Sequence, residues 1–196
     1  MSQRTLLAFG AGFLLTAALG WTFLPALLYA TAEQPAAFNH KLHTSEKVGL
    51  ACQDCHAIQE DGRFSGIPPL AKCAGCHAEP LGPSVAEKRL VEEYVKPGRE
   101  IPWLVYARQP DNVRFSHALH LKRAEIACER CHGAHGASDT LRPYQENRIS
   151  GESRDIWGPS LARVGLRPGE GMKMSDCEGC HAQRSRSRSS CLACHR

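Results

Sequence analysis

The sequence predicts a mostly irregular chain with short α-helices and little or no β-structure, preceded by one N-terminal transmembrane helix. Three observations carry that expectation. An uninterrupted, mostly apolar run occupies residues 6–30. Ten cysteines and ten histidines in 196 residues far exceed ordinary usage. The 42% hydrophobic and 7% aromatic content includes the N-terminal run, so side-chain burial alone gives the remainder only a thin core. The composition excludes disordered, collagenous and coiled-coil chains. A formal charge of +4 is spread over interspersed acidic and basic residues, and no nucleic-acid partner is expected from it.

No charged residue stands in positions 5–32, and the 25 positions 6–30 would make roughly 37 Å of helix, enough to cross a bilayer's hydrocarbon core. A cleavable signal needs a shorter apolar region, although Ala30, Thr31 and Ala32 offer a small-residue cleavage pattern. Residues 1–32 therefore read as a membrane anchor, with a signal peptide as the alternative. Arg4 precedes the run and Glu33 follows it, which keeps positive charge in the cytoplasm and places everything from Glu33 onward in the periplasm. The expected location is the cytoplasmic membrane, single-pass.

Every cysteine belongs to a Cys-x-x-Cys pair, and each pair is followed at once by histidine. The five motifs are Cys52/Cys55/His56, Cys73/Cys76/His77, Cys128/Cys131/His132, Cys177/Cys180/His181 and Cys191/Cys194/His195. Two thiols at this spacing add to the two vinyl groups of one haem, and the adjacent imidazole takes the iron from the proximal face. Structural zinc would consume the pairs two at a time and leave the fifth unmatched. A disulfide scaffold gives the histidines no role. The sequence therefore predicts five covalently bound haem c groups, each iron held on one side by His56, His77, His132, His181 or His195. With both propionates ionised, five ferric haems would bring the charge from +4 to about −1, so the excess arginine reads as propionate counter-charge. About 33 residues per haem follow Ala32, and the porphyrins themselves become the core.

Five further histidines, His40, His43, His117, His120 and His135, equal the number of sixth ligands that five irons require. Four of them lie in an internal repeat, F-x-H-x-L-H at residues 38–43 and again at 115–120, each copy standing shortly before a Cys-x-x-Cys-His motif. On a short helix two histidines three apart share one face and can serve two neighbouring irons. His135 lies too near His132 to reach the far side of the same haem and is expected to serve another. Met172 and Met174 are the alternative axial ligands. A full set of distal ligands argues for electron transfer, because catalytic haems keep a coordination position open.

The body divides into a dihaem cluster at 33–80, a linker at 81–112 and a trihaem cluster at 113–196. In the linker, Ser84 and Glu87 read as a capping box. Ala86, Leu90, Val91, Tyr94 and Val95 then form one apolar helix face, expected to meet haem edges or the second cluster, until Pro97 and Gly98 stop the helix. Residues 101–106 read as an extended lead into the second repeat, with Trp103 as a packing residue. Residues 138–171 read as an ordered loop or a docking insertion. Arg184, Arg186 and Arg188 read as solvated or propionate-pairing side chains.

The F-x-H-x-x-H motif followed by C-x-x-C-H resembles class III multihaem cytochromes c. That resemblance implies a haem-cored fold in which the first histidine of each copy ligates the haem of the next motif, pairing His40 with His56 and His117 with His132. It sends His43, His120 and His135 to three other irons. The stretch from Ile101, Pro102 and Trp103 through Pro110 and Asp111 to Phe115, Ser116 and His117, with the closing pair of motifs, is similar to the membrane-anchored multihaem subunits of alternative complex III and related periplasmic quinone reductase complexes. The resemblance implies iron-sulfur and polytopic quinone-oxidoreductase subunits in the membrane as partners, and a periplasmic electron carrier or enzyme beyond them. One transmembrane helix cannot build a quinone pocket unaided. The expected function is electron transfer between the two sides by a non-catalytic subunit. The alternatives are a multihaem oxidoreductase with one open catalytic haem and a stand-alone anchored quinol dehydrogenase.

Overall fold

The computed structural model describes residues 2–62, 66–106, 112–151, 172, 174–184 and 191–195, excepting the side chains of 24–26, 191 and 193. Residues 152–171 of the expected loop or insertion, Arg186, Arg188, and Pro110 and Asp111 lie outside the described residues.

Helix α1 (Gln3–Leu28) contains one stretch, Gln3–Phe23, long and apolar enough to cross a membrane, and that stretch packs against nothing in the fold. Its polar side chains are satisfied internally: the Thr16 hydroxyl donates to Gly12 O at 2.8 Å and the Thr22 hydroxyl to Ala18 O at 3.0 Å. A helix in hydrocarbon requires this, since no water is available to solvate a hydroxyl. The chain leaves α1 directly into a short strand, β1 (Tyr29–Ala32), which pairs antiparallel with β2 (Tyr144–Asn147), Tyr29 opposite Asn147 and Ala32 opposite Tyr144. The Arg148 N–H donates to Leu28 O at 2.8 Å and extends the pairing to the helix end. Neither strand alternates apolar and polar residues, so the sequence carried no period-2 signal for them.

The rest of the body is made of short helical turns joined by irregular chain, as expected: α2 (His40–His43), α3 (Cys52–Cys55), α4 (Leu70–Ala74), α5 (Val85–Leu90), α6 (Glu129–His132), α7 (Met174–Gln183) and α8 (Cys191–Cys194). Helix α5 starts where Ser84 accepts the Glu87 N–H. It runs on through a widened turn over Val91–Val95, in which the Lys96 N–H reaches Val91 O at 2.9 Å, five residues back. Gly98, at φ +65°, ends it, a left-handed conformation that glycine adopts without a Cβ penalty. A second widened turn, Leu119–Arg123, follows the second histidine pair.

Among the described residues the buried apolar side chains are Leu70, Val91, Tyr94 and Ile101. Leu70, Tyr94 and Ile101 pack together, with Ala36, Leu90, Val95 and Trp103 against them. Trp103 is thus a packing residue, and the α5 face lies on α4 and the 101–103 segment. Among the described residues, Leu70 and Ile101 are the buried partners of this face. Ala86 is exposed and drops out of the buried face. The Gln34 side-chain amide donates to Leu104 O at 2.8 Å and accepts the Leu104 N–H at 3.1 Å, fixing the extended segment beside residues 33–37. So small an apolar nucleus cannot by itself organise a body of this length. The histidine and cysteine turns must be held by something else.

Candidate functional site

Three of the cysteine motifs are single helical turns in which the histidine N–H bonds back to the carbonyl of the first cysteine. The His56 N–H donates to Cys52 O at 2.8 Å, His77 N–H to Cys73 O at 2.8 Å and His132 N–H to Cys128 O at 3.0 Å. This puts both thiols and the imidazole on one side of the turn. The fourth motif lies along α7, and α8 carries the fifth up to His195, whose backbone pairs with Val113. The cysteines whose side chains are described form no disulfide with one another. No group of three or more His, Cys, Asp or Glu side chains converges as a metal cage among the described residues.

Thiols of different motifs bear on one another's charge. Burial pushes Cys73 up, and Cys55 adds to it. Burial also raises Cys128, with Cys52 adding to it. Cys131 is raised by burial and then by Cys180, and Cys177 by burial, Asp176, Cys131 and Cys194.

Each F-x-H-x-L-H copy folds into the same local unit. Phe38 stacks on His43 at 4.4 Å between ring centres and meets His40 edge-on at 4.7 Å. Phe115 stacks on His120 at 4.4 Å and meets His117 edge-on at 4.8 Å. The phenylalanine is a wedge that fixes both imidazoles, a role the histidine count alone did not reveal although the repeat displayed the residue. The Nδ1–H of His43 points to Asn39 O at 2.7 Å and that of His120 to Ser116 O at 2.8 Å. Bonding at Nδ1 leaves Nε2 as the nitrogen free for a metal.

Those imidazoles face others. His43 lies opposite His77 at 6.1 Å, His120 opposite His181 at 6.1 Å, and His117 opposite His132 at 6.3 Å with ring planes 5° apart. An iron between two imidazoles, with metal–nitrogen bonds of about 2 Å, holds the ring centres roughly 6 Å apart. The residues therefore fit a haem: each pair joins an imidazole beside two thiols to one from elsewhere in the chain. The haem would supply a one-electron ferric/ferrous couple there.

The fourth imidazole pair is different. His40 faces His135 at 6.3 Å, and neither follows a cysteine pair. Burial lowers His40 to about 4, with His135, His56 and His43 adding to it in that order. The ring is therefore neutral and a competent donor at pH 7. His56 and His135 thus both bear on His40. The Nδ1 of His56 is bonded to Gly66 O at 2.9 Å. His117 and His132 are lowered by burial first, then by His132 and His120 in the one case and by His56 in the other. Among the described residues no second imidazole ring faces His195. Met172 is partly buried and Met174, opening α7, is exposed.

Two known families match the chain in succession. Residues 25–97 match the class III cytochrome C family, and residues 113–196 match cytochrome c7 and related cytochrome c. Over 203 aligned positions, covering 96% of this chain and 89% of the relative, the sequence is 37% identical to the menaquinone reductase multihaem cytochrome c subunit of Nitratidesulfovibrio vulgaris, strain Hildenborough.

Proposed function

The chain belongs to the multihaem c-type cytochromes, and from that premise we propose that it is a pentahaem electron-transfer subunit, anchored in the cytoplasmic membrane with its haem body in the periplasm. It passes electrons between a membrane quinone-linked oxidoreductase and a periplasmic redox partner. The 37% identical menaquinone reductase subunit supports a menaquinone-linked complex. The observation that carries the reading is the set of facing imidazoles. His77/His43, His132/His117 and His181/His120 support three bis-imidazole irons. His40 is assigned to the iron of His56, and His135 to that of His195.

The mutual electrostatic influence of thiols from different motifs supports an order for the haems. Cysteines sit at porphyrin edges, so neighbouring thiols bring those edges together. Cys73 near Cys55 joins the second haem to the first, Cys128 near Cys52 the first to the third, Cys131 near Cys180 the third to the fourth, and Cys177 near Cys194 the fourth to the fifth. The line of haems runs second, first, third, fourth, fifth. The β1–β2 pair favours an anchor over a cleaved signal, because cutting after Ala32 would remove β1 from its partner strand.

The test uses the full-length chain purified from membranes with its haems loaded. The chain is expected to co-purify with quinone-reducing subunits, and a menaquinone analogue should oxidise its reduced haems only when those subunits are present. Rapid reduction of the isolated chain's oxidised haems by the quinol form of the analogue would instead identify a stand-alone quinol dehydrogenase. A second reading is favoured by His135 facing His40 rather than His195: the fifth iron would then be open, and the protein an oxidoreductase acting there on a small ligand.

A further inference from the structure

We propose that Glu87 is a potential-setting residue: it holds the Nδ1 proton of His77 with an ionised carboxylate and thereby lowers the midpoint potential of the haem attached at Cys73 and Cys76. The inference rests on the reading that His77 ligates that iron.

Ser84 and Glu87 have the spacing of a capping box, in which the glutamate would reach back to the Ser84 N–H. Only half of it forms. Ser84 Oγ accepts the Glu87 N–H at 3.4 Å, while the Glu87 carboxylate turns toward the second haem motif. Its Oε1 lies 2.8 Å from His77 Nδ1 and accepts the Leu81 N–H at 2.9 Å, and its Oε2 accepts the Gly82 N–H at 3.2 Å. Two backbone donors hold the carboxylate in place and favour its charged form. Both side chains are largely withdrawn from water, His77 at 20% and Glu87 at 15% exposure, so the interaction is weakly screened.

Four other imidazoles turn Nδ1 to neutral oxygens: His56 to Gly66 O, His43 to Asn39 O, His120 to Ser116 O and His40 to the Ser138 hydroxyl. A carboxylate draws the Nδ1 proton more strongly than a carbonyl or hydroxyl does. It makes the imidazole a more anionic donor at Nε2, and this stabilises ferric over ferrous iron. His77 therefore carries a stronger push than those four.

The experiment is a potentiometric titration, followed optically and by electron paramagnetic resonance, of the full-length haem-loaded protein carrying Glu87→Gln, Glu87→Asp or Glu93→Gln. Glu93→Gln removes a charge from the same helical stretch, where the carboxylate pairs with Arg89 instead of an imidazole. Glu87→Gln should keep every haem low-spin and move one component toward ferrous by about tenfold in its equilibrium constant, or about 59 mV for a one-electron couple. Glu87→Asp should lie closer to wild type, and Glu93→Gln should move that component far less.

A Glu87→Gln titration that superimposes on wild type with all haems retained, or an equal shift in Glu93→Gln, overturns the proposal. A Cys73→Ser/Cys76→Ser variant locates the component independently, even where Glu87→Gln fails to load. The component it removes should lie on the low-potential side, and removal of a high-potential one also overturns the proposal. Retention of every haem in that variant would instead overturn the haem assignment on which the proposal rests.

Discussion

Phe38 and Phe115 do the same work in the two halves of the molecule, yet the histidines they fix meet different partners. In the second copy His117 faces His132, the imidazole of the motif that follows it, with the ring planes almost parallel. In the first copy His40 faces His135 in the other half, and His56 is a further neighbour. Backbone bonds account for the difference. Lys41 N–H donates to Ser138 O at 3.1 Å and the Thr44 hydroxyl to Gly136 O at 2.8 Å, so the first copy is stitched to the 135–138 turn. Six residues suffice to encode the wedge and the direction of each imidazole. Which imidazole lies opposite is decided by chain that is distant in sequence.

The largest expected effect breaks the junction between the halves. Cys128→Ser/Cys131→Ser should remove one haem of five in a pyridine haemochrome assay and cut the two haems of the first cluster off from the last two in rapid-reduction kinetics. Undiminished haem content would contradict the motif assignment, and undiminished kinetics would contradict the haem order. Next comes the histidine pair itself. His117→Met should raise one midpoint by roughly a hundred millivolts, a modest part of the about 0.8 V that axial ligands span, because His/Met ligation favours ferrous iron. His40→Met should raise the midpoint of a different haem, the one attached at Cys52 and Cys55, and the absence of a shift in either variant, read by redox titration, would contradict the corresponding pairing.

Smaller effects probe the local wedge. Asn39 Oδ1 accepts the Leu42 N–H at 2.8 Å, and Ser116 Oγ accepts the Leu119 N–H at 3.3 Å. Asn39→Ala should cost about 1 kcal/mol in denaturant unfolding, with Ser116→Ala costing less because its bond is longer. The smallest change expected is in Lys41→Ala. Its ion pair with Asp139 is exposed and 3.6 Å long, so stability should move by less than about 0.5 kcal/mol.

The chemistry was legible because it is written in short spacings. Cysteines three apart with histidine next, histidines three apart behind a phenylalanine, and a charge-free apolar run each declare themselves within a few turns of chain. The stop at Gly98 was legible for the same reason. Four features were not. The β1–β2 pair joins residues more than a hundred positions apart and lacks alternation. The widened turns at Val91–Val95 and Leu119–Arg123 have no compositional mark. The Glu87 carboxylate leaves the capping box for His77, ten residues upstream, because the loop over 78–83 folds back on it. The partners of His43 and His120 depend on how irregular segments pack, and hydrophobic periodicity carries no information about that.

The central claim is a line of low-spin haems with no open iron. A low-temperature electron paramagnetic resonance spectrum of the oxidised full-length protein, calibrated against its haem count, tests it most directly. Five haems per chain with only low-spin ferric signals is the predicted result. A high-spin signal worth one haem in five would contradict it, and would make the iron of His195 the place to look for catalysis.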